Sequence, residues 1–283
     1  MIKNSRGSIG ASENYAITFA CYKGLTYTRQ CIESLSVSGV DMNRLVVIDN
    51  ASGDGTADFL DESSVGLVIR NSENRGCGVA WNQGALALQA EWTIVMNNDL
   101  VVTAGWLDGL IKAGIQHSAG IVSSALIEGP LDYDLDEFAK RAYGAMRQCL
   151  RNNLPHAICM AIHESVWREI GYFRSEPKLL GFEDTLFFRA AELAGIKMIT
   201  TGSSWVHHYG SVTQKLLKEE LGIHSSQGLG DRYNYRLLGD SWFTRKRRKA
   251  AKLKRLSEYR SQEVSLHDMS IHGLRKSGKF EWI

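Results

Sequence analysis

The chain has no apolar run approaching the ~18 residues needed to cross a bilayer, and its opening residues, Met1-Ile-Lys-Asn-Ser-Arg, are too polar for the apolar core of a signal peptide. A cytoplasmic protein is expected. Its five cysteines, Cys21, Cys31, Cys77, Cys149 and Cys159, are scattered and without C-x-x-C spacing, which argues against a disulfide framework or a structural zinc site. No G-x-x-x-x-G-K-[ST] segment occurs, so there is no P-loop. Asn71-Ser-Glu-Asn-Arg-Gly-Cys-Gly78 has the outline of a dinucleotide fingerprint, but Trp81 stands where the last glycine is required. Internal repeats and a Pro/Gly/Ser-rich linker are also lacking. With 44% hydrophobic and 23% charged residues the composition is that of a globular protein, neither disordered nor membrane-embedded. A net charge of +2 selects no class of partner, yet Arg245-Lys-Arg-Arg-Lys249 with Lys252, Lys254 and Arg255 concentrates positive charge near the end.

What is present is alternation. Short apolar runs at Tyr15–Cys21, Arg44–Asp49, Gly66–Arg70 and Trp92–Asn97 read as strands, and Thr28–Ser36, Asp54–Glu62 and Gly78–Ala90 have helical spacing, with Asp54 as an N-cap. Successive βαβ units of this kind predict a mainly parallel sheet flanked by helices. Trp106–His117 reads as a further helix. Gly120–Ile127 and Pro155–Ile162 then read as strands separated by a long polar segment. A helix beginning at Asp184 and stopped by Gly195 is expected to pack Leu186, Phe187, Ala190, Leu193 and Ala194. The strand Lys197–His208 comes next, and helices or a partly mobile tail are expected beyond about Ser225. The organisation expected is a tail over 1–14, one α/β domain over 15–225 with halves 15–100 and 101–225, and a helical, basic extension over 226–283.

Strands buried in a parallel sheet deliver the residues at their ends to the carboxyl edge, where open α/β folds bind ligands. Trp92-Thr-Ile-Val-Met-Asn-Asn-Asp99 ends there on amides and a carboxylate, and Val-Val-Ile-Asp49-Asn50-Ala-Ser52 reaches the same edge. Each taken alone is also an ordinary Asx turn or helix cap. A carboxylate beside an amide offers acceptors and donors to a base or a ribose, and Arg75 and Asn82 are candidates for a ligand and for a neighbouring backbone group. With Asp184, three carboxylates are available to one cleft, a set suited to one hard cation, Mg²⁺ or Mn²⁺, and one proton acceptor. In Ser204-Trp-Val-His-His208, period-two alternation turns His207 and His208 to opposite faces, and His208 is the reading for the metal ligand.

Together these segments resemble the family 2 glycosyltransferases of the nucleotide-diphospho-sugar transferase superfamily, with the GT-A fold, and rhamnosyltransferase-like members in particular. The likeness runs from about Tyr15 to Thr213. Ile17-Thr-Phe-Ala-Cys-Tyr22 resembles the strand that meets the nucleoside, and Val47-Ile-Asp-Asn-Ala-Ser-Gly-Asp-Gly-Thr56 is similar to V-D-N-A-S-x-D-G-T. Asn74-Arg-Gly-Cys-Gly-Val-Ala-Trp-Asn-Gln-Gly84 is similar to N-x-G-x-x-x-A-x-N-x-G, and Met96-Asn-Asn-Asp99 to the metal motif. Gly171-Tyr-Phe173 with Gly181-Phe-Glu-Asp184 resembles the acceptor-side segment, and His207-His-Tyr-Gly-Ser-Val-Thr213 the closing one.

The resemblance implies inverting transfer of a hexosyl or deoxyhexosyl group from a nucleoside-diphosphate-sugar donor to a hydroxyl of a glycan, lipid-linked or protein acceptor. Donor contacts then fall to Ala20, Tyr22, Asp49, Asn50, Arg75, Asn82 and Asn98, with either Asp49 or Asn50 reading the base. Metal ligation falls to Asp99 and His208. Asp184 is the implied general base and Glu183 its competitor, free to turn toward a sugar hydroxyl. Asn97 and Asn98 stand where many relatives carry acidic residues, and Lys23-Gly24 where Asn-Arg is frequent. Acceptor recognition is expected in Glu128–Leu154 and the C-terminal part. The basic cluster Arg245–Arg255, with Trp242, Phe243 and Tyr259 nearby, leaves a second class open: a nucleic-acid or membrane-surface binder on a degenerate GT-A core, or an enzyme brought peripherally to the inner membrane. A solvated helix face is the plainer reading of the same charges.

Overall fold

A computed structural model describes residues 14–175, 182–210, 212, 215–216 and 237–283. Gly181, Ser211 and Thr213, which belong to segments singled out above, lie outside the described residues. The first half alternates as its sequence predicts. Strands β1 (Tyr15–Cys21), β2 (Leu45–Asp49), β3 (Leu67–Arg70) and β4 (Trp92–Asn97) are interleaved with helices α1 (Leu25–Val37), α2 (Thr56–Glu62) and α3 (Cys77–Ala87). Then come β5 (Leu100–Val102), α4 (Trp106–His117), β6 (Ile121–Glu128), α5 (Leu135–Met146), β7 (Leu150–Asn152), β8 (Cys159–His163), α6 (Glu164–Ile170), α7 (Glu183–Leu193) and β9 (Met198–His208). The chain closes with α8 (Trp242–His267), β10 (His272–Lys276) and β11 (Lys279–Trp282).

Among the described residues these strands form one sheet in the order β11-β10-β6-β8-β4-β1-β2-β3, with β9 pairing β5, β6 and β7. The pairs β1–β2, β1–β4, β2–β3, β6–β9 and β6–β10 are parallel, whereas β8 runs antiparallel between β4 and β6. In register, Cys21 lies beside Asp49, Ala20 beside Asn97, and Asp49 beside Arg70, so the ends of β1, β2 and β4 form a single rim. Alternation sets the layers. Ile17, Phe19, Ile94 and Met96 pack with α1 and α4 on one face, while Val95 joins Trp81, Met160, Phe173 and Phe187 on the other. On that second face α3 approaches β1 so closely that a Cβ on Gly84 would stand 1.8 Å from Thr18 Oγ1, a spacing only glycine permits.

Several expectations are corrected. Helix α1 begins three residues before Thr28, behind Gly24 at φ 74°. Gly55 rather than Asp54 caps α2, although the Asp54 carboxylate still accepts from Thr56 N (3.3 Å) and Thr56 Oγ1 (2.6 Å). Helix α7 begins at Glu183, one residue before Asp184. Leu193 is 71% exposed, because the packed face is centred on Phe187 and Ala191 instead. The polar segment after β6 contains α5, where Asp134 accepts from Glu137 N and Phe138, Ala139, Ala142 and Met146 are buried. Beyond α8 the chain also turns back into the sheet, where β10 pairs in parallel with β6.

Charge fixes that return. The Arg151 guanidinium on β7 makes two bonds to the Glu263 carboxylate of α8, at 3.0 and 2.9 Å, and a third to Ser270 Oγ at 2.6 Å, all buried. Glu263 also accepts from Ile271 N at 3.1 Å, at the threshold of β10. Breaking a buried pair strands a charge and costs about 3–5 kcal/mol. Arg151→Met should therefore lower Tm by roughly 10 °C, and Arg151→Met with Glu263→Gln, which removes the stranded charge and keeps an acceptor for Ile271, should recover much of it. Differential scanning calorimetry checks both.

Candidate active site

The rim formed by β1, β2 and β4 carries the first group of site residues. Asp49 is buried and its Oδ1 accepts from Ser52 N at 2.9 Å. Ser52 Oγ in turn accepts from Lys23 N at 2.9 Å, and Asp54 Oδ2 from Leu25 N at 3.0 Å, so the loop after β2 holds the turn after β1. Both turns contain a non-glycine residue in the left-handed region, Lys23 at φ 58° and Ala51 at φ 68°, a conformation that costs of order 1 kcal/mol and gathers at ligand-binding turns. Ala20 and Tyr22 flank the first of them, half-buried on this edge.

Asn50 is a hub of the next loop. Its Nδ2 donates to Asn74 Oδ1 (3.2 Å) and Gly76 O (3.3 Å), and its Oδ1 accepts from Asn71 Nδ2 (2.8 Å) and Arg75 N (3.4 Å). Those bonds aim the 71–76 segment and the amino end of α3 at the cleft, and they occupy the amide that the sequence assigned to the donor. Asn82 is engaged at both ends: Nδ2 donates to Phe173 O (2.8 Å) and Oδ1 accepts from Phe173 N (2.9 Å). It braces the backbone of Phe173. The buried amide of Asn98 donates to Thr28 Oγ1 at 3.0 Å on α1. Arg75 is exposed and paired with Glu73 at 3.3 Å.

Asp99 and His208 meet. Asp99 directly precedes β5, His208 ends β9, and the antiparallel pairing of β5 with β9 sets Leu100 opposite His208. Asp99 Oδ1 lies 3.3 Å from His208 Nε2 with both residues buried, and Asp99 Oδ2 accepts from Val212 N at 3.1 Å. His207 points the other way, with Nδ1 3.0 Å from Tyr133 OH, as alternation requires.

Sequence reading missed two partners. Glu128 Oε2 is 3.3 Å from His208 Nδ1, and Glu128 Oε1 accepts from His272 Nε2 at 2.6 Å. The run Asp99–His208–Glu128–His272 thus spans β4, β9, β6 and β10. Glu128 had a local signal, as the charge ending the apolar run of β6. His272 had none, because its place depends on a pairing between strands far apart in sequence.

The acidic groups of α7 open beside α3. Glu183 is buried against Gly78 of α3, whose Cβ would lie 2.8 Å from Glu183 Cγ, and its Oε2 accepts from Phe182 N at 2.8 Å. Asp184 is half-buried, accepting from Thr185 N at 2.6 Å. Burial pushes its carboxyl above the ordinary range, while the Thr185 bonds and the charge of Lys252 on α8 draw it back. The contact of Glu183 with Gly78 sets the start of α7 beside the amino end of α3.

The imidazoles divide sharply. Burial alone would lower His208, but Asp99 and then Glu128 outweigh it and raise the imidazolium to about 9. Burial and the charge of His272 hold His156 down to about 3, and burial with the charge of His208 holds His207 down to about 4. Asp99 and Glu128 are held below their usual range by His208, and Glu128 also by His272, against the upward pull of burial. Because His208 lies above its ordinary 6.5, its stabilising contribution is complete below ~6.5 and disappears as pH rises through about 9. The depressed His156 and His207 withdraw theirs as pH falls below ~6.5, and the two carboxylates theirs at lower pH still. Stability of the metal-free protein should peak near neutrality and fall toward pH 9, and Glu128→Gln should flatten the alkaline limb. Thermal melts across pH, with NMR titration of the imidazoles, test this.

Known proteins match in the same places. The family model described as Glycosyl transferase family 2 matches residues 17–179. EpsH from Bacillus subtilis (strain 168) is 23% identical over 100 residues, 34% of this chain and 29% of EpsH, so the chain spans less than a third of that relative. The structure of residues 1–349 of S. aureus TarS with UDP-GlcNAc matches with a TM-score of 0.53 at 16% identity, covering 69% of this chain and 58% of that one. The mannosyltransferase PcManGT from Pyrobaculum calidifontis, with GDP-Man and Mn²⁺, matches with a TM-score of 0.50 at 16% identity, over 76% and 65% of the two chains. At such identities structural likeness establishes the fold alone, a GT-A architecture of mixed, mainly parallel sheet and flanking helices. The sequence match carries the rest: it takes in the rim of β1, β2 and β4 with its Asp49 and Asp99, covers more than half of the 283 residues, and makes this chain a member of glycosyl transferase family 2.

Proposed function

We propose that this protein is an inverting glycosyltransferase that moves a sugar from a nucleoside-diphosphate donor to an acceptor hydroxyl, with Asp184 as general base and Asp99 and His208 as the protein ligands of a divalent cation. The observation that carries the reading is the meeting of buried Asp99 and His208, 3.3 Å apart, beside the rim on which β1, β2 and β4 end, with α7 and its Asp184 packed through Glu183 against Gly78 of α3. TarS and PcManGT, whose folds this chain shares, are each described with a nucleoside-diphosphate sugar.

The residues fit a cation. Two ligands ~2.1 Å from an octahedral ion and at right angles stand ~3.0 Å apart, close to the 3.3 Å between Asp99 Oδ1 and His208 Nε2. Asn97 Nδ2 is 3.5 Å from the same nitrogen, and half a turn of that amide would offer its oxygen. Among the described residues no group of three or more His, Cys, Asp or Glu is placed to hold a metal ion, so an ion on Asp99 and His208 would need waters and substrate phosphates to complete its shell. A carboxylate with one imidazole favours Mn²⁺, while Mg²⁺ fits the oxygen donors. When bound, the cation neutralises the charge that builds on the departing diphosphate.

The remaining work falls to the chain. Asp49 and the loop aimed by Asn50 form the nucleoside edge, beside Ala20 and Tyr22, with Arg75 at its exposed margin. Asp184 takes the proton of the acceptor hydroxyl as its oxygen attacks the anomeric carbon, and the bond to the diphosphate breaks on the opposite face with its electron pair leaving on oxygen. A carboxyl raised by burial is the stronger base, and Glu183, buried against Gly78, leaves the role to Asp184. Asp184→Asn should cut transfer about a thousandfold while donor binding persists, as followed by product formation and calorimetry; transfer near the normal rate would remove Asp184 from the mechanism. Asp99→Ala should weaken Mn²⁺-dependent nucleotide binding about tenfold or more. Equal titrations of both proteins, with and without Mn²⁺, would sink the ligand assignment.

A further inference from the structure

Helix α8 is long, anchored at one end and bare at the other. Its second half is tied to β7. Glu263 meets Arg151, Tyr259 OH accepts from Asn152 N at 3.2 Å, and the Arg255 guanidinium donates to Asn152 O. From Trp242 to Gln262, by contrast, no residue is buried. The side facing the protein carries Arg248, Arg255, Leu256 and Tyr259, all half-buried. At ~100° per residue, Trp242, Phe243, Ala250 and Leu253 share an arc of about 100° turned away from it. Trp242 is 52% exposed, Phe243 72% and Leu253 56%. Lys249 borders this arc on one side and Arg247 and Lys254 on the other, while Lys246 lies within it with Nζ 4.0 Å from the Trp242 ring. Between Ser241 and Ser257 there are eight Lys or Arg and no Asp or Glu.

We propose that this outward face of α8 docks the protein on an anionic lipid surface, lying in the interface and not crossing it. The chemistry selects the partner. A bilayer interface accepts large apolar side chains and rewards surrounding cations by attraction to anionic headgroups, at about 1 kcal/mol for each, and long lysines reach back to the headgroups while their stems stay buried. A nucleic acid would answer the charge and could stack bases on Trp242 and Phe243, but it leaves Leu253 and Ala250 on the same arc without a role. Among the described residues no helix is long and apolar enough to span a membrane, in keeping with a helix that lies flat.

The location adds a substrate class, a step that rests on the transferase reading. Tyr259 and Arg255 tie the helix to Asn152, inside the Glu128–Leu154 segment in which acceptor recognition is expected, so the docking helix flanks the acceptor side. A protein seated through α8 holds that side close to the lipid surface, where an acceptor carried by a lipid is concentrated and a free one is not.

The test is flotation of the full chain with vesicles of phosphatidylcholine, with or without phosphatidylglycerol. The expected result is retention on the anionic vesicles only, released by high salt. Trp242→Ser/Phe243→Ser/Leu253→Ser, which changes no charge, should lower the partition about tenfold or more with an unchanged circular dichroism spectrum. Absence of retention on anionic vesicles overturns the proposal. So does a triple variant that floats as well as the parent, or retention on single-stranded DNA that exceeds retention on vesicles. Calorimetric binding of UDP and GDP with Mn²⁺, measured without vesicles, should be the same in parent and variant. Failure there alone sinks the transferase reading, and failure of flotation alone sinks the docking.

Discussion

A buried imidazolium between two carboxylates is the interaction on which the site turns. Charges out of water persist only when each has a partner. His208 cannot keep its proton against burial without Asp99 on one nitrogen and Glu128 on the other. Glu128 in its turn is satisfied on its second oxygen by His272. The requirement reaches through the fold: β9 must lie parallel to β6 for His208 to stand beside Glu128, and β10 must lie along the opposite edge of β6 to bring His272. The C-terminal hairpin, beyond the residues matched by the family model, therefore completes the surroundings of a residue at the proposed metal position. An outer carboxylate that fixes a ligating imidazole sets its tautomer and orientation, and Glu128 has the geometry for that task.

The donor side is organised by amides. Asn50, Asn71, Asn74 and Gln83 bond to one another around the loop that enters α3, with Asn71 and Gln83 exchanging two bonds at 2.9 Å. Asn82 pairs with the backbone of Phe173 as a strand neighbour would, tying α3 to the segment that leads toward α7. An amide donates and accepts without carrying charge, so such a network shapes a loop while leaving the local field to Asp49, Asp99 and Asp184. It gives the motif asparagines a task of their own, to aim backbone.

This division also marks what was legible in the sequence. Alternation of apolar runs with helical spacing made β1 to β4 and α1 to α3 readable, since burial on both faces leaves a continuous signal. Asp49 and Asp99 were readable as candidates because they follow such runs, and side-chain period alone set His208, not His207, on the side that meets Asp99. The partners of Asn82 and Asn98 were not readable, because an amide gives the same motif whether it meets a ligand, the backbone of Phe173 or the hydroxyl of Thr28. Helix α5 carried a signal, Asp134 before Glu137 and the spacing of Phe138, Ala142 and Met146, but charged residues between them mask it. Strands β10 and β11 are short and largely polar. Only their pairing with β6 and with each other makes them strands, and non-local pairing leaves no mark in a local pattern.

The C-terminal segment unites these threads. A helix with eight cations and no carboxylate between Ser241 and Ser257 repels itself and gains little from packing, so it needs an anchor elsewhere. The buried contacts of Arg151 with Glu263 and Ser270 supply one, and through Ile271 they also set the start of β10. One cluster therefore orients two things, the bare half of α8 and the strand that brings His272 to Glu128. Nearer the outer half, Tyr259 and Arg255 meet Asn152, and beyond the Arg151 cluster β10 runs along β6 as far as Glu128 beside Leu274. The buried charges of that cluster hold both elements in place, because a slip would leave one of them without its partner.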